Sequence, residues 1–248
     1  METPEISIIV PCRNEESSVE SCLQEIHTLI EKEQLKAEII LVDNGSTDAT
    51  PALLQKLSAH IPELRVINEP VPGYGSACMR GLNDAKGTYL LMLDCDMSYD
   101  PSTIALFVES LKKGNALAVG NRFSEKIKKG VMPWHHQYIG NPLFSFLLRL
   151  FFGTKINDIH CGMRAITKEA LATLKLQTTG MEFASEMIVK AAKHHLPIGE
   201  VPIQYRARIG TSKLRSFADG WRHLRFILLF SPLFLFFIPG DGSWRKFS

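Results

Sequence analysis

YLLMLDCDMSYDP, Tyr89 to Pro101, is an apolar run that stops at two aspartates. Tyr89 to Leu93 lacks the apolar–polar alternation of a half-exposed strand, so it reads as a strand buried on both faces. Asp94 and Asp96 follow, with Cys95 between them. Side chains two apart on an extended chain share a face, so both carboxylates can reach one cation while Cys95 turns into the packing. Mg²⁺ and Mn²⁺ prefer oxygen ligands and take one or two protein carboxylates, leaving the rest to water and substrate phosphates. The plain alternative is a pair of solvated acids at a strand end. Asp100, before Pro101, reads as the cap of the next helix.

The same texture extends outward. ISIIVP (Ile6–Pro11), EIILVD (Glu38–Asp43), LRVIN (Leu64–Asn68) and ALAVGN (Ala116–Asn121) are further short apolar runs ending in turn residues. Between them lie helix patterns, the clearest placing Val19, Cys22, Leu23, Ile26, Leu29 and Ile30 on one face. Thr50 followed by Pro51 reads as a helix N-cap, and Gly87 as the close of a helix starting near Tyr74. Strands alternating with helices predict an α/β fold, a mostly parallel sheet with helices on both faces. In such sheets ligands bind beyond the carboxyl ends of the strands. Past about residue 125 the alternation loosens into a basic loop, an amphipathic helix over Ile139–Phe152 and a mixed region to Tyr205.

The chain has 248 residues, 45% of them hydrophobic, enough for a sizeable core. Its formal net charge of +2 does not by itself point to nucleic acid. A local basic excess stands out instead: Arg206, Arg208, Lys213, Arg215, Arg222 and Arg225 face only Asp219 between Tyr205 and Gly240. The five cysteines form no CxxC pair, which suggests reduced thiols in a cytoplasmic protein, and the N-terminus shows no signal-peptide pattern. Phe226–Ile238 is apolar but only 13 residues long and interrupted by Pro232, whereas a spanning helix needs roughly 20. An interfacial segment is expected, giving a domain over 1–214 and a basic, apolar membrane-interface segment over 215–248.

Other chemistries find little support. PGYGSACMRG sits where a dinucleotide fingerprint would, but Cys78 occupies the third glycine position, so a glycine-assisted turn is the better reading. There is no P-loop and no GxSxG elbow. The pairs His135–His136, His160–Cys161 and His194–His195 lack zinc-site spacing and are expected at the surface or in loops. The donors of RARIGTSKLRS (Arg206, Arg208, Thr211, Ser212, Lys213) suit a phosphate, an anionic lipid surface, or both.

Taken in order, SIIVPCRNEE, ILVDNGSTDAT, DCDMSYDP, GNRF, CGMRAITKEAL and EVPIQYRARIGTSKL resemble the family 2 glycosyltransferases of GT-A (Rossmann-like) fold. Within that family the likeness is to the polyprenyl- and dolichyl-phosphate hexosyltransferases, such as the dolichol-phosphate mannose synthases. The resemblance implies an inverting transfer of a hexose from a UDP- or GDP-sugar to a polyprenyl phosphate, with Mg²⁺ or Mn²⁺. It assigns Pro11, Arg13, Glu15 and Asp43 to the nucleotide. Asp94 and Asp96, with Ser98 as a further ligand, go to the metal and diphosphate. Arg122 goes near the sugar and the acceptor phosphate, and Arg208, Ser212 and Lys213 to phosphates. GTSK stands where the family has a GESK-like motif, with one residue fewer after EVPI, so either Arg206 or Arg208 could be the equivalent arginine. A lipid acceptor would place Asn141–Gly153 and Phe226–Ile238 at a membrane interface. Relatives often continue into membrane helices beyond an IPG-like end, so attachment here is expected to be peripheral, on the cytosolic face.

Two alternatives differ in class. A family member acting on a sugar hydroxyl would need a carboxylate base; Glu182 and Glu186 are candidates, but no QxxRW motif accompanies them. An inactive lipid-binding scaffold is disfavoured by the intact DxD.

Overall fold

A computed structural model describes residues 3–125, 127, 128, 130–210 and 216–231, and the side chains of 216–218 are excluded. Ser212 and Lys213, and most of the apolar run beyond Ser231, lie outside the described residues.

The chain alternates as expected through β1 (Ile6–Cys12), α1 (Val19–Lys32), β2 (Ala37–Asp43), α2 (Thr50–Leu57), β3 (Leu64–Asn68), α3 (Tyr74–Asp84), β4 (Tyr89–Met92), α4 (Ile104–Lys112) and β5 (Leu117–Asn121). It continues with α5 (Asn141–Phe152), β6 (Arg164–Thr167), α6 (Lys168–Leu174), α7 (Phe183–Lys193), β7 (Ile198–Pro202) and α8 (Ser216–Phe230). The seven strands form one sheet in the order β3-β2-β1-β4-β6-β5-β7. All neighbours are parallel except β6, which runs antiparallel between β4 and β5. Ile8, Ile9 and Val10 are consecutive, so they point to opposite faces, and all are fully buried. The sheet is therefore covered on both sides.

Two local expectations change. Thr50 is the first residue of α2 rather than its cap: Asp48 accepts from the Thr50 N–H, and the Thr50 hydroxyl accepts from the N–H of Glu15. A hydroxyl at that position serves two loops instead of one helix end. Gly87 does not close α3, which ends at Asp84; its N–H donates to the Ser7 hydroxyl, and a Cβ there would press on the β1 backbone. His160 lies in a loop, as expected, but is partly buried there: its ring packs edge-on against His223 at 4.4 Å, its Nδ1 meets Asn141 Oδ1, and its Nε2 is buried.

The C-terminal helix joins the same body. Phe226 and Ile227 of α8 are buried in the main core, and His223 hydrogen-bonds the buried Ser185 of α7 at 2.7 Å. No helix among the described residues is long and apolar enough to cross a membrane. α5 instead buries one face through Ser145 and Leu148 and exposes Leu143, Phe146 and Leu150. The π-helical turn before it, His136–Gly140, exposes Tyr138 and Ile139, with Trp134 exposed nearby. The five cysteines are free thiols, all buried.

Candidate active site

The strand ends gather a cleft of about 680 Å³. Pro11, Cys12, Arg13, Asn14 and Glu15 line it from the end of β1, and Asn44 from the end of β2. Gly73, Tyr74 and Ala77 come from the start of α3, Asp94 to Asp96 from beyond β4, and Gly180 and Met181 from before α7. Arg208, Asp219 and Arg222 complete the wall. Of the residues expected on the nucleotide, Pro11, Arg13 and Glu15 are in this wall. Asp43 lies just behind it, accepting from the Ser46 N–H to shape the turn after β2.

Asp94 and Asp96 meet in the cleft, but not by strand alternation. β4 ends at Met92, and the two aspartates lie in a turn that continues into Met97 at φ 64°. Hydrogen bonds hold that turn. Leu93 donates to Ile9 O, keeping it in line with β1, and Ser98 N–H donates to Asp96 Oδ1 at 3.0 Å. Cys95 is buried as expected. The chain after β7 runs back along the turn, with Arg206 N–H on Ser98 O and Ile209 N–H on Asp96 O. That return separates the two candidate arginines. Arg206 turns out to Glu25 and to Asp100, which also caps the following helical turn through Ser102 N–H. Arg208 points into the cleft, 3.3 Å from Asp96.

Burial, and then the neighbouring Asp96 charge, push the Asp94 carboxyl up to about 7. The Tyr74 hydroxyl, donating at 3.2 Å, and Arg208 only partly offset this. Two carboxylates forced together and short of positive charge are what a divalent cation relieves. Asp94 and Asp96 therefore have the chemistry to hold Mg²⁺ or Mn²⁺, both hard ions that take oxygen ligands. The Ser98 hydroxyl is a buried oxygen without a hydrogen-bond partner among the described residues, but Ser98 is not in the cleft wall and meets Asp96 through its N–H.

Arg122 is buried beside the cleft in a two-pronged pair with Asp158, at 2.7 and 2.8 Å, under the Tyr205 ring. It lines a smaller hollow with Lys128, Tyr205 and Arg206. Asp158, fully buried, also accepts from the Arg122 backbone, so it sets the whole loop after β5.

Several supporting residues lie within the stretches quoted from the sequence, but with no role of their own legible there. Asn44 donates to the carbonyls of Glu69 and Val71 and accepts from Gly73 N–H, fixing the loop that brings Tyr74 to Asp94. Arg164, fully buried in β6, donates to the carbonyls of Cys161, Ile159 and Ala184. Gly73 and Gly75 let the Thr178–Gly180 backbone close on the start of α3, where Ser76 N–H donates to Thr179 O. The glycine stretch thus serves a chain crossing. Glu186 is spent structurally, accepting from Gln177 and Thr178 and pairing with Lys190.

Comparison with known proteins bears on the family and the fold. A family model described as Glycosyl transferase family 2 matches residues 7–175. The low-salt glycan biosynthesis hexosyltransferase Agl6 of Haloferax volcanii is 38% identical over 240 residues, covering 96% of this chain and 57% of that protein. A dolichyl-phosphate hexose transferase of the same organism is 30% identical over 87% of this chain and 89% of its own length. The dolichol-phosphate mannosyltransferase of Pyrococcus furiosus is 28% identical, over 85% and 59%. The chain thus spans less than two thirds of Agl6 and of the mannosyltransferase. Among solved structures, glucosyl-3-phosphoglycerate synthase from Mycobacterium tuberculosis, in complex with Mn²⁺, UDP and glucosyl-3-phosphoglycerate, superposes with a TM-score of 0.73. It covers 96% of this chain and 82% of its own at 21% identity, a likeness of fold.

Proposed function

We propose that this chain, which belongs to glycosyl transferase family 2, moves a hexose from a UDP- or GDP-sugar to a polyprenyl phosphate. One observation carries the proposal: Asp94, Asp96, Arg13 and Arg208 share a single cleft at the strand ends, and Asp94 is held short of compensating positive charge. The lipid-phosphate acceptor is supported by the name of the relative aligned over most of its length, a dolichyl-phosphate hexose transferase.

In this mechanism Pro11, Arg13, Glu15 and Asp43 position the nucleotide. Asp94 and Asp96 hold Mg²⁺ or Mn²⁺, which when bound offsets the charge of the departing diphosphate. Arg208, 3.3 Å from Asp96 in the cleft wall, is placed to meet phosphate oxygens. A phosphate monoester with a second pKa near 6 is already an anion at neutral pH, so the acceptor attacks the sugar carbon without a general base. This fits the structural use of Glu186, whose carboxylate is taken up by Gln177, Thr178 and Lys190. Attack opposite the leaving group inverts the sugar carbon. Arg122, kept in place by Asp158, and Arg208, Ser212 and Lys213 are the acceptor-phosphate candidates, while Arg206 is engaged by Glu25 and Asp100. Positioning and electrostatics then supply most of the rate.

The exposed apolar side chains of α5 and its approach, with Trp221, Leu228 and Leu229 of α8, support contact with a membrane surface. Calorimetric titration of UDP and GDP, with Mn²⁺ and with chelator, tests the site. Wild type should bind one of them only with Mn²⁺, and Asp96→Ala should lose that dependence. Retention of full Mn²⁺-dependent affinity by the variant would overturn the metal assignment.

A further inference from the structure

We infer that Arg222, supplied by the C-terminal helix α8, is an additional binding residue for the donor diphosphate. The inference rests on the proposed function and adds a residue to it. The family match ends at residue 175, so it assigns nothing at position 222.

The geometry of α8 divides its side chains three ways. His223, Phe226 and Ile227 are buried and lock the helix onto α7 and the core. Trp221, Leu228 and Leu229 are exposed. Asp219 and Arg222, one helical turn apart, form part of the cleft wall that also holds Asp94, Asp96 and Arg208. Asp219 is nearly buried, whereas the Arg222 side chain is 60% exposed and reaches Asp219 only at 3.7 Å. An arginine held that loosely keeps most of its five N–H donors for an incoming anion.

Charge matching favours a diphosphate as that anion. The wall carries four carboxylates, Glu15, Asp94, Asp96 and Asp219, so even with one divalent ion the negative diphosphate has to be met by cationic side chains. The cleft wall offers Arg13 from the end of β1, Arg208 from beyond β7 and Arg222 from α8. Three arginines from three separate elements can surround a diphosphate in a way that one loop cannot. A guanidinium on a locked helix is also placed before the ligand arrives, which reduces the ordering cost on binding.

The test is titration of UDP and of GDP, each with Mn²⁺, into full-length wild type, Arg222→Ala, Arg222→Lys and Arg225→Ala. Arg225 is exposed on the same helix and is outside the cleft wall, so its variant reports the general field of α8. Arg222→Ala should weaken binding of the preferred nucleotide at least tenfold and flatten its salt dependence. Arg222→Lys should recover part of the loss, and Arg225→Ala should stay within twofold of wild type. Melting temperatures should be unchanged, since the Arg222 side chain is mostly exposed. Equal losses in Arg222→Ala and Arg225→Ala, or unchanged affinity in Arg222→Ala, would overturn the assignment. Failure of the underlying function looks different: wild type itself would bind neither nucleotide with Mn²⁺.

Discussion

Gly162 is the position where a single methyl group should disable the site without unfolding the chain. It lies against the first DxD carboxylate. A Cβ built on Gly162 would stand 2.8 Å from Asp94 Cγ and 2.9 Å from Oδ1, with Oδ2 closer still. Real Cβ atoms essentially never come within 3.0 Å of another heavy atom, and ordinary contact begins at 3.4 Å. Moving Cγ from 2.8 to 3.4 Å needs 0.6 Å, and the nearer oxygen needs more. Gly162 cannot retreat easily, because its N–H is bonded to the Tyr99 hydroxyl at 2.8 Å and Cys161 and Met163 on either side are fully buried. The carboxylate must therefore swing. A misplacement of about 1 Å can cost about 100-fold in rate, roughly 2.7 kcal/mol of transition-state stabilisation. Gly162→Ala should lose about that much kcat/KM and bind Mn²⁺ with nucleotide more weakly, while its urea midpoint stays close to wild type. The assay is steady-state transfer beside metal-dependent nucleotide titration. A variant with wild-type kcat/KM would refute the claim that Asp94 must stay where the structure puts it.

Other consequences can be measured separately. Asp158→Ala leaves the buried Arg122 charge unpaired, so urea unfolding should show a loss of about 3–5 kcal/mol; a loss under about 1 kcal/mol would mean that water reaches the guanidinium. His223 is held down to about 4, first by burial and then by Arg164, so it is neutral when folded, whereas the unfolded chain takes up a proton near 6.5. Stability should be full above pH 6.5 and fall progressively toward pH 4, by at most about 3 kcal/mol from this group. His223→Gln should melt with a shallower pH dependence, and an unchanged slope would assign the effect elsewhere. Phe146→Ser with Leu150→Ser, on the exposed face of α5, should lower the fraction sedimenting with anionic vesicles several-fold; an unchanged fraction would remove α5 from the membrane contact.

The first five strands were legible because each is a short apolar run ended by turn residues, and burial on both faces leaves that mark in any sequence. β6 was not, since RAIT is four residues long and carries a buried arginine whose charge reads as surface. Its antiparallel insertion between β4 and β5 is set by long-range pairing that local pattern does not encode. The same division holds in the cleft. Asp94 and Asp96 stood out because acids directly after an apolar run are conspicuous, whereas Arg13 and Glu15 were assigned through the family resemblance of SIIVPCRNEE. Asn44 and Tyr74 fall in the conspicuous stretches ILVDNGSTDAT and PGYGSACMRG, but they and Asp158 act on partners 20 to 36 residues away in the chain, which local pattern does not reveal. The choice between Arg206 and Arg208 had equal support in the sequence. The structure separates the two through the backbone bonds that lay residues 206 to 209 along the DxD turn, Arg208 facing the cleft and Arg206 facing Glu25 and Asp100.

The most direct measurement is a screen of radiolabelled UDP- and GDP-hexoses with polyprenyl phosphate and full-length protein, with Mn²⁺ or Mg²⁺ and with chelator, counting label in the organic phase. Label should enter the organic phase with at least one of these donors, only when the divalent ion is present, and not with Asp96→Ala. Label that stays aqueous with every donor, or transfer undiminished by chelator, would contradict a metal-dependent hexosyl transfer to a lipid phosphate.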